Sequence, residues 1–380
     1  MSKTNWQKLA MMLVLSGVWF VIGWLAHAKA APATLSPQVA RIAKAGQLLL
    51  TRAYPNEGQL NADDLANAAI RGMLRFTEDR YAALYVGPAQ ARYEADFAGE
   101  TGAPGLWYTY EDGHFIINAL RPNGPAEAAG IQVGDIIRAV DGLSVNELTS
   151  GHEIAMLLRG PIGVAIPLTV QRGNKTLTMQ VQREEREQLQ SRFLADSIGY
   201  VRLPSFPTGV AQTLKAELTT LQSQGMTALV LDMRNNAGGS TQDAAAILNF
   251  FIQQGNLYTA EFKDGQRRTV QADGTAFLSN LPLTVLVDGG SFSSTELIAA
   301  ALRDHERAQI IGVTTGGKGT IQDTIPLDDH SLLHLTIAKW LSPAGDWIHH
   351  QGIQPDVTVV DDPATLDDEV LMFAVKAVQG

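Results

Sequence analysis

Residues 283–302 read LTVLVDGGSFSSTELIAAAL, and this stretch decides the fold. Leu283–Val287 is a short apolar run rich in valine, suited to a buried strand. Asp288-Gly289-Gly290 ends it, and Ser294–Leu302 reads as a helix. Ser293-x-x-Glu296 at the junction is the signature of a capping box. The same unit stands upstream: strand Ala228–Met233, loop Arg234-Asn235-Asn236-Ala237-Gly238-Gly239, helix Ser240–Phe251. Downstream come strands at Ile310–Val313, Leu333–Trp340 and Val357–Val360, and a helix from about Leu366 to Val378. Alternation of strand, loop and helix predicts a layered α/β sheet for residues 187–380.

Two other textures precede it. Residues 98–186 carry short strands and turns. Asp112-Gly113 separates Leu106–Tyr110 from His114–Leu120, Gly134-Asp135 and Asp141-Gly142 bracket Ile136–Val140, and Gly173-Asn174 turns a last hairpin. A helix from about Asn146 to Leu158 ends at Gly160-Pro161. A small β barrel with one or two helices has the size of a binding module. Residues 31–97 read as helical, with Asp63 and Asp64 ahead of apolar Leu65, Ala69, Met73 and Leu74.

Residues 1–30 are a targeting segment. Lys3 and Lys8 precede an uncharged run from Leu9 to Ala28, long enough to cross about 30 Å of hydrocarbon. Ala26-His27-Ala28 and Ala28-Lys29-Ala30 resemble cleavage sites of signal peptidases. The segment serves as a cleaved signal or as a retained anchor with residues 9–28 in the membrane. Either way the basic end stays inside and the remainder is extracytoplasmic, in the periplasm or cell envelope.

The chain has 380 residues, room for two or three domains at roughly 150 residues each. With 45% hydrophobic residues it can bury a core. The formal charge of -10 speaks against a nucleic-acid partner, which calls for a basic face. There is no cysteine, which excludes disulfides, thiolate metal sites and a cysteine nucleophile.

Three loops carry candidate chemistry. Gly238-Gly239 between strand and helix lets backbone N–H groups converge on an anion or oxyanion. Ser293 opens a helix, where its hydroxyl serves as nucleophile or as a simple cap. Gly312 to Thr320 imitates a phosphate loop, but Gly319 stands where a magnesium-binding hydroxyl belongs, and Thr320–Pro326 alternates like a strand. Lys318 in that loop is a surface lysine or, if desolvated, a neutral amine able to take a proton from serine. The histidines offer no metal spacing: His349 and His350 are adjacent, which on a strand would face opposite sides, and His330 and His334 lie four apart in a strand-like stretch.

Together the loops resemble the C-terminal processing peptidases, or tail-specific proteases. The resemblance runs from about Asp63 to Val357 and is carried by five stretches in order. They are Ala68–Leu74, Ala119–Gly130 with Gly134-Asp135-Ile136-Ile137, Gly199–Leu203, Leu231–Asn236 and Gly352–Val357. In that family a lysine follows the catalytic serine by twenty-five positions and a glutamine follows the lysine by four. Ser293, Lys318 and Gln322 match both spacings. The resemblance implies Ser293 as nucleophile, Lys318 as general base and Gln322 as the residue that orients the lysine. Ser291 and Ser294 are the alternatives if the register slips. Lys318 and Gln322 would share a face if a strand ran through both. Oxyanion donors are expected at Gly238 or Gly239 and at the amide of Ser294.

The resemblance also implies a crotonase-like protease core with a PDZ domain inserted after the helical segment, and no cofactor or metal. A family loop of the form Gly-Ile-Gly-Ile, whose amides hold a substrate's terminal carboxylate, aligns with Ala103-Pro104-Gly105-Leu106. Pro104 has no N–H, which shifts carboxylate capture to Gly105, Leu106 and Trp107. The partners implied are proteins with unstructured C-terminal tails; the oligomeric state, a homo-oligomer included, is left open. The rival readings are a catalytically inactive PDZ scaffold and a phosphate-loop nucleotidase.

Overall fold

The computed structural model describes residues 36–54, 60–148, 150–194, 197–362, 365 and 367–379. The targeting segment lies outside the described residues. Among them no helix is long and apolar enough to cross a membrane.

Residues up to Ile70 form a unit of their own. It contains helix α1 (Pro37–Arg52), capped by the Ser36 side chain, and the first half of α2 (Ala62–Phe76). From Arg71 onward the chain forms a second unit built on three sheets.

The central sheet has the order β17-β14-β13-β10-β9-β8. Its strands are β8 (Gln190–Phe193), β9 (Ile198–Arg202), β10 (Ala228–Asp232), β13 (Leu283–Val287), β14 (Gln309–Gly312) and β17 (Val357–Thr358). All pairs are parallel except β8 with β9. The inner strands β10 and β13 are covered on both faces and buried at every position rather than alternating. Val201, Leu229, Leu231, Val285 and Val287 bury one face against helices α6 (Val210–Ser223), α7 (Thr241–Leu248) and α8 (Ser294–Asp304). Tyr200, Val230, Leu286 and Ile311 bury the other against Val370, Ala374 and Val378 of the last helix, α9 (Glu369–Gln379).

The second sheet is antiparallel and combines β1 (Ala83–Val86), β11 (Asn256–Phe262), β12 (Arg267–Gln271), β15 (Thr320–Asp328) and β16 (Ser331–Leu341). The third comprises β2 (Leu106–Glu111), β3 (His114–Leu120), β4 (Ile136–Val140), β5 (Leu143–Ser144), β6 (Ile166–Arg172) and β7 (Lys175–Val181). Two helices complete this module: α4 (Pro125–Ala128) and α5 (Gly151–Leu158). Between β1 and β2 runs α3 (Pro88–Phe97).

Four expectations need correction. Residues 31–97 are not all helical: Ala83–Val86 is a strand, buried at Ala83, Leu84 and Tyr85 and paired with Ser331–His334. The module is therefore inserted between one strand of the second sheet and the rest of it. The helix expected over Asn146–Leu158 begins only at Gly151, after a 3₁₀ turn at Val145–Glu147. Lys318 precedes β15 instead of lying on it, and the ladder shifts register between Ile321 and Gln322, so no common strand face relates lysine to glutamine. His349 and His350 sit in a turn with ring centroids 3.9 Å apart and do not diverge as strand neighbours would.

Candidate active site

Ser293 sits where β13 hands over to α8. Its backbone is left-handed, with φ 56° and ψ -114°, an uncommon state for a residue with a Cβ. The turn is held from several sides. The Phe292 N–H and the Thr295 hydroxyl both donate to the Asn236 carbonyl at 2.9 Å. The neighbouring serines are spent on backbone: Ser291 Oγ donates to the Met233 carbonyl at 2.9 Å and Ser294 Oγ to that of Gly239 at 2.8 Å. Ser293 forms the capping box with Glu296 expected from sequence, and its side chain lines the main cleft.

Glu296 does more than cap. Its buried carboxylate accepts from the N–H groups of Ser293 (2.8 Å), Lys318 (2.8 Å) and Gly317 (2.7 Å) and from the Thr315 hydroxyl (2.6 Å). One side chain thus ties the serine turn to the lysine loop. Four donors and no acceptor suit the ionised form, although burial pushes the carboxyl above its usual range. The sequence offered only the capping role, because loop 314–318 comes from beyond β14.

The glycines of that loop make room for close packing, with no helix following as a phosphate loop would need. A Cβ on Gly316 would fall 1.9 Å from the Phe292 ring, and one on Gly319 2.9 Å from the His349 N–H and the Trp347 indole. Lys318 is thereby pressed into the protein. Its carbonyl accepts from Trp340 Nε1 at 3.1 Å, and its Nζ lies 4.6 Å from the centre of the Tyr81 ring. The side chain keeps some contact with the cleft, but desolvation of the amine lowers its pKa to about 8, against the opposing pull of Asp79 and Glu296. Gln322 lines the same cleft; its amide nitrogen donates to Thr320 Oγ1 (2.9 Å) and Thr336 Oγ1 (3.1 Å). Asp79 and Tyr81 were not found from sequence; they belong to the segment read as helical.

The glycine loop after β10 lies directly against Ser293. A Cβ on Gly238 would stand 2.9 Å from both Ser293 Cβ and the Ser294 nitrogen. The Gly238 N–H donates to Asn236 Oδ1 at 2.9 Å and is occupied. Among the described residues the N–H groups of Gly239 and Ser294 have no acceptor.

The cleft, about 1960 Å³, reaches from Ser293, Lys318 and Gly239 to Gly105, Leu106 and Trp107 at the start of β2. β2 is the end strand of its sheet, so its outer edge is open to an added strand. The Ala103 N–H is spent on the Glu184 carbonyl (2.9 Å) and Pro104 has none, so the first free amides of the loop begin at Gly105. Helix α5 borders this groove, with the Tyr108 hydroxyl donating to the Gly151 carbonyl at 2.7 Å. The helix also grips the rest of the unit through ion pairs Glu153–Arg71 and Asp96–Arg159. Beside them His152 stacks on His334 of β16, centroids 4.9 Å apart.

Two family models match this chain. The model of peptidase family S41 matches residues 197–359, and a PDZ-domain model matches residues 116–172. The chain is similar to the carboxy-terminal processing protease CtpA of Bacillus subtilis, 33% identical over 78% of this chain and 64% of that protein. It is similar to a probable CtpA-like serine protease of Staphylococcus haemolyticus, 31% identical over 79% of this chain and 61% of that protein. The alignments thus span less than two thirds of these relatives' length. Among solved structures, a photosystem II D1 C-terminal processing protease aligns with TM-score 0.64 at 29% identity, over 86% of this chain and 89% of that one.

Proposed function

Because the chain belongs to the C-terminal processing peptidases of family S41, we propose that it is an exported serine endopeptidase. It cleaves protein substrates near their C-termini, the tail being held by the PDZ module. On this reading Ser293 is the nucleophile and neutral Lys318 the general base. The lysine takes the hydroxyl proton as Oγ attacks the scissile carbonyl. The resulting oxyanion is received by the amides of Ser294 and Gly239 rather than by that of Gly238. Collapse expels the new amino terminus, which takes the proton from the lysine. Water then attacks the acyl ester, with Lys318 again accepting a proton, and Ser293 recovers its own. Gln322 orients the lysine. The layered core is read as crotonase-like, with the PDZ module over residues 98–186. The N-terminal 30 residues are read as the export signal or anchor, and Gly105, Leu106 and Trp107 as the carboxylate site.

The observation that carries the proposal is a lysine desolvated to a pKa of about 8 in the same cleft as Ser293, the two loops being joined through Glu296. The test is cleavage of an unfolded peptide by the wild type, Ser293→Ala and Lys318→Ala, with thermal midpoints recorded beside the rates. Both variants are expected to keep the wild-type midpoint within a few degrees and to lose turnover by at least about a thousandfold. An active Ser293→Ala enzyme, or a wild type that binds the peptide without cutting it, contradicts the proposal. Excess chelator is expected to leave the rate unchanged.

A further inference from the structure

The glycine loop beside Ser293 starts at Arg234, whose side chain turns away from the cleft. Its guanidinium is gripped twice. Nε and Nη2 bond Asp232, the last residue of β10, at 2.7–3.2 Å. Nη1 and Nη2 bond the two carboxylate oxygens of Asp368 at 2.9 and 2.7 Å, a fork-to-fork pair. Asp361 adds a longer contact at 3.5 Å.

Asp368 is itself fixed, and not by the arginine alone. Its Oδ1 accepts the Leu371 N–H at 2.8 Å, which caps α9. That helix is anchored under the central sheet by Val370, Ala374 and Val378. At the other end the loop is pinned to the serine turn. Asn235 N–H donates to Asp288 at 2.8 Å, and the Asn236 carbonyl receives Phe292 and Thr295. The Gly239 carbonyl receives Ser294. Between these fixed ends Gly238 has no slack, since the space of its absent Cβ abuts Ser293 and Ser294.

We propose that Asp368, seventy-five positions after the nucleophile and outside the cleft, is a positioning residue for the oxyanion loop. It clamps Arg234 against Asp232 and so sets the place of Gly238 and Gly239 relative to Ser293. The C-terminal helix is then part of the catalytic scaffold and not only a cover for the sheet. This rests on the reading of Ser293 and the Gly239 and Ser294 amides given above.

The charge and the cap can be separated. In Asp368→Asn the side-chain oxygen still caps α9, but the fork loses one oxygen and its charge. In Asp368→Glu the charge returns on a longer arm that caps poorly. With a fluorogenic peptide, Asp368→Asn is expected to lower kcat roughly 10- to 100-fold, as sub-ångström misplacement of catalytic groups does. KM should stay within about threefold, and so should the affinity for the uncut peptide measured in a Ser293→Ala background. Asp368→Glu is expected to regain most of kcat while melting earlier than Asp368→Asn. A wild-type kcat in Asp368→Asn overturns the proposal, and so does a loss that follows the thermal midpoint across both variants. Should Asp368→Asn fail to fold, the Glu variant carries the test, and a kcat as low as Ser293→Ala overturns it. Wild-type activity in Ser293→Ala would instead refute the nucleophile assignment, whatever Asp368 does.

Discussion

Lys318 shows how far one residue's chemistry can be argued. A pKa of about 8 makes the free amine the minor form at neutral pH and the major form above 8. If the neutral amine is the base, kcat/KM rises about tenfold per pH unit below 8 and levels off above it. A profile flat from pH 6 to 9 would contradict the assignment. Glu296 stands on the other side of this balance, since its negative charge raises the lysine pKa. In Glu296→Gln the acid limb is therefore expected to move to lower pH. The same variant turns an amide N–H toward two of four donors, which should cost roughly 2–4 kcal/mol in denaturant unfolding. The serine, lysine and glutamine could be proposed from sequence because the family resemblance implies their separations, and all three line one cleft. Glu296 was legible only as a cap, because its three further donors arrive from a loop that no local pattern couples to it. Asp368 was not singled out within the terminal helix expected from about Leu366, for the same reason.

At the scale of elements, parallel strands and their loops were the readable part. Leu283–Val287 and the hairpin about Asp112-Gly113 appear where periodicity and turn chemistry put them. Ala83–Val86 escaped because four residues hold too little periodicity to stand out between helices, and only its partner β16 makes it a strand. That miss hid Asp79 and Tyr81, which reach Lys318 from just before that strand. The glycine loop invites a sharper test. Gly238 has φ +89°, and a methyl group there would press on the Ser294 N–H at 2.9 Å. Gly238→Ala is expected to cost roughly 1–3 kcal/mol of stability and to lower kcat about a hundredfold, with KM little changed. Wild-type kcat in that variant would remove the loop from the oxyanion role. The contrast is Gly113→Ala in the hairpin turn, also at positive φ but with open space around it, where only stability should suffer.

At the scale of the whole unit, the PDZ module meets the second sheet along one face of α5, and that contact is built on groups that tolerate protons poorly. His152 and His334 stack across it, bordered by Tyr85, Tyr93, Lys318, Asp79 and Arg159. The His334 Nδ1 is 2.8 Å from Thr324 Oγ1, and the buried His152 Nε2 has no partner among the described residues. Burial, reinforced by the Lys318 charge, holds His334 down to about 4, and burial with its histidine neighbour and Lys318 holds His152 well below its usual value. Both pKa values are depressed on folding, so the docked form has its full stability above about pH 6.5, where the imidazoles are neutral in either state. That stability drains away as pH falls toward 4, because the separated or unfolded form takes up protons first. For His334 alone the loss amounts to about 3 kcal/mol. Melting curves of the intact protein between pH 7.5 and 4.5 should therefore show a midpoint that drops steeply below pH 6.5. A His152→Gln/His334→Gln double variant should flatten that dependence, since neither glutamine titrates. If wild type and double variant fell in parallel, the acid sensitivity would have to come from carboxylates held below their usual range, such as Asp135 and Asp368, and the stacked pair would be simple packing between the two modules.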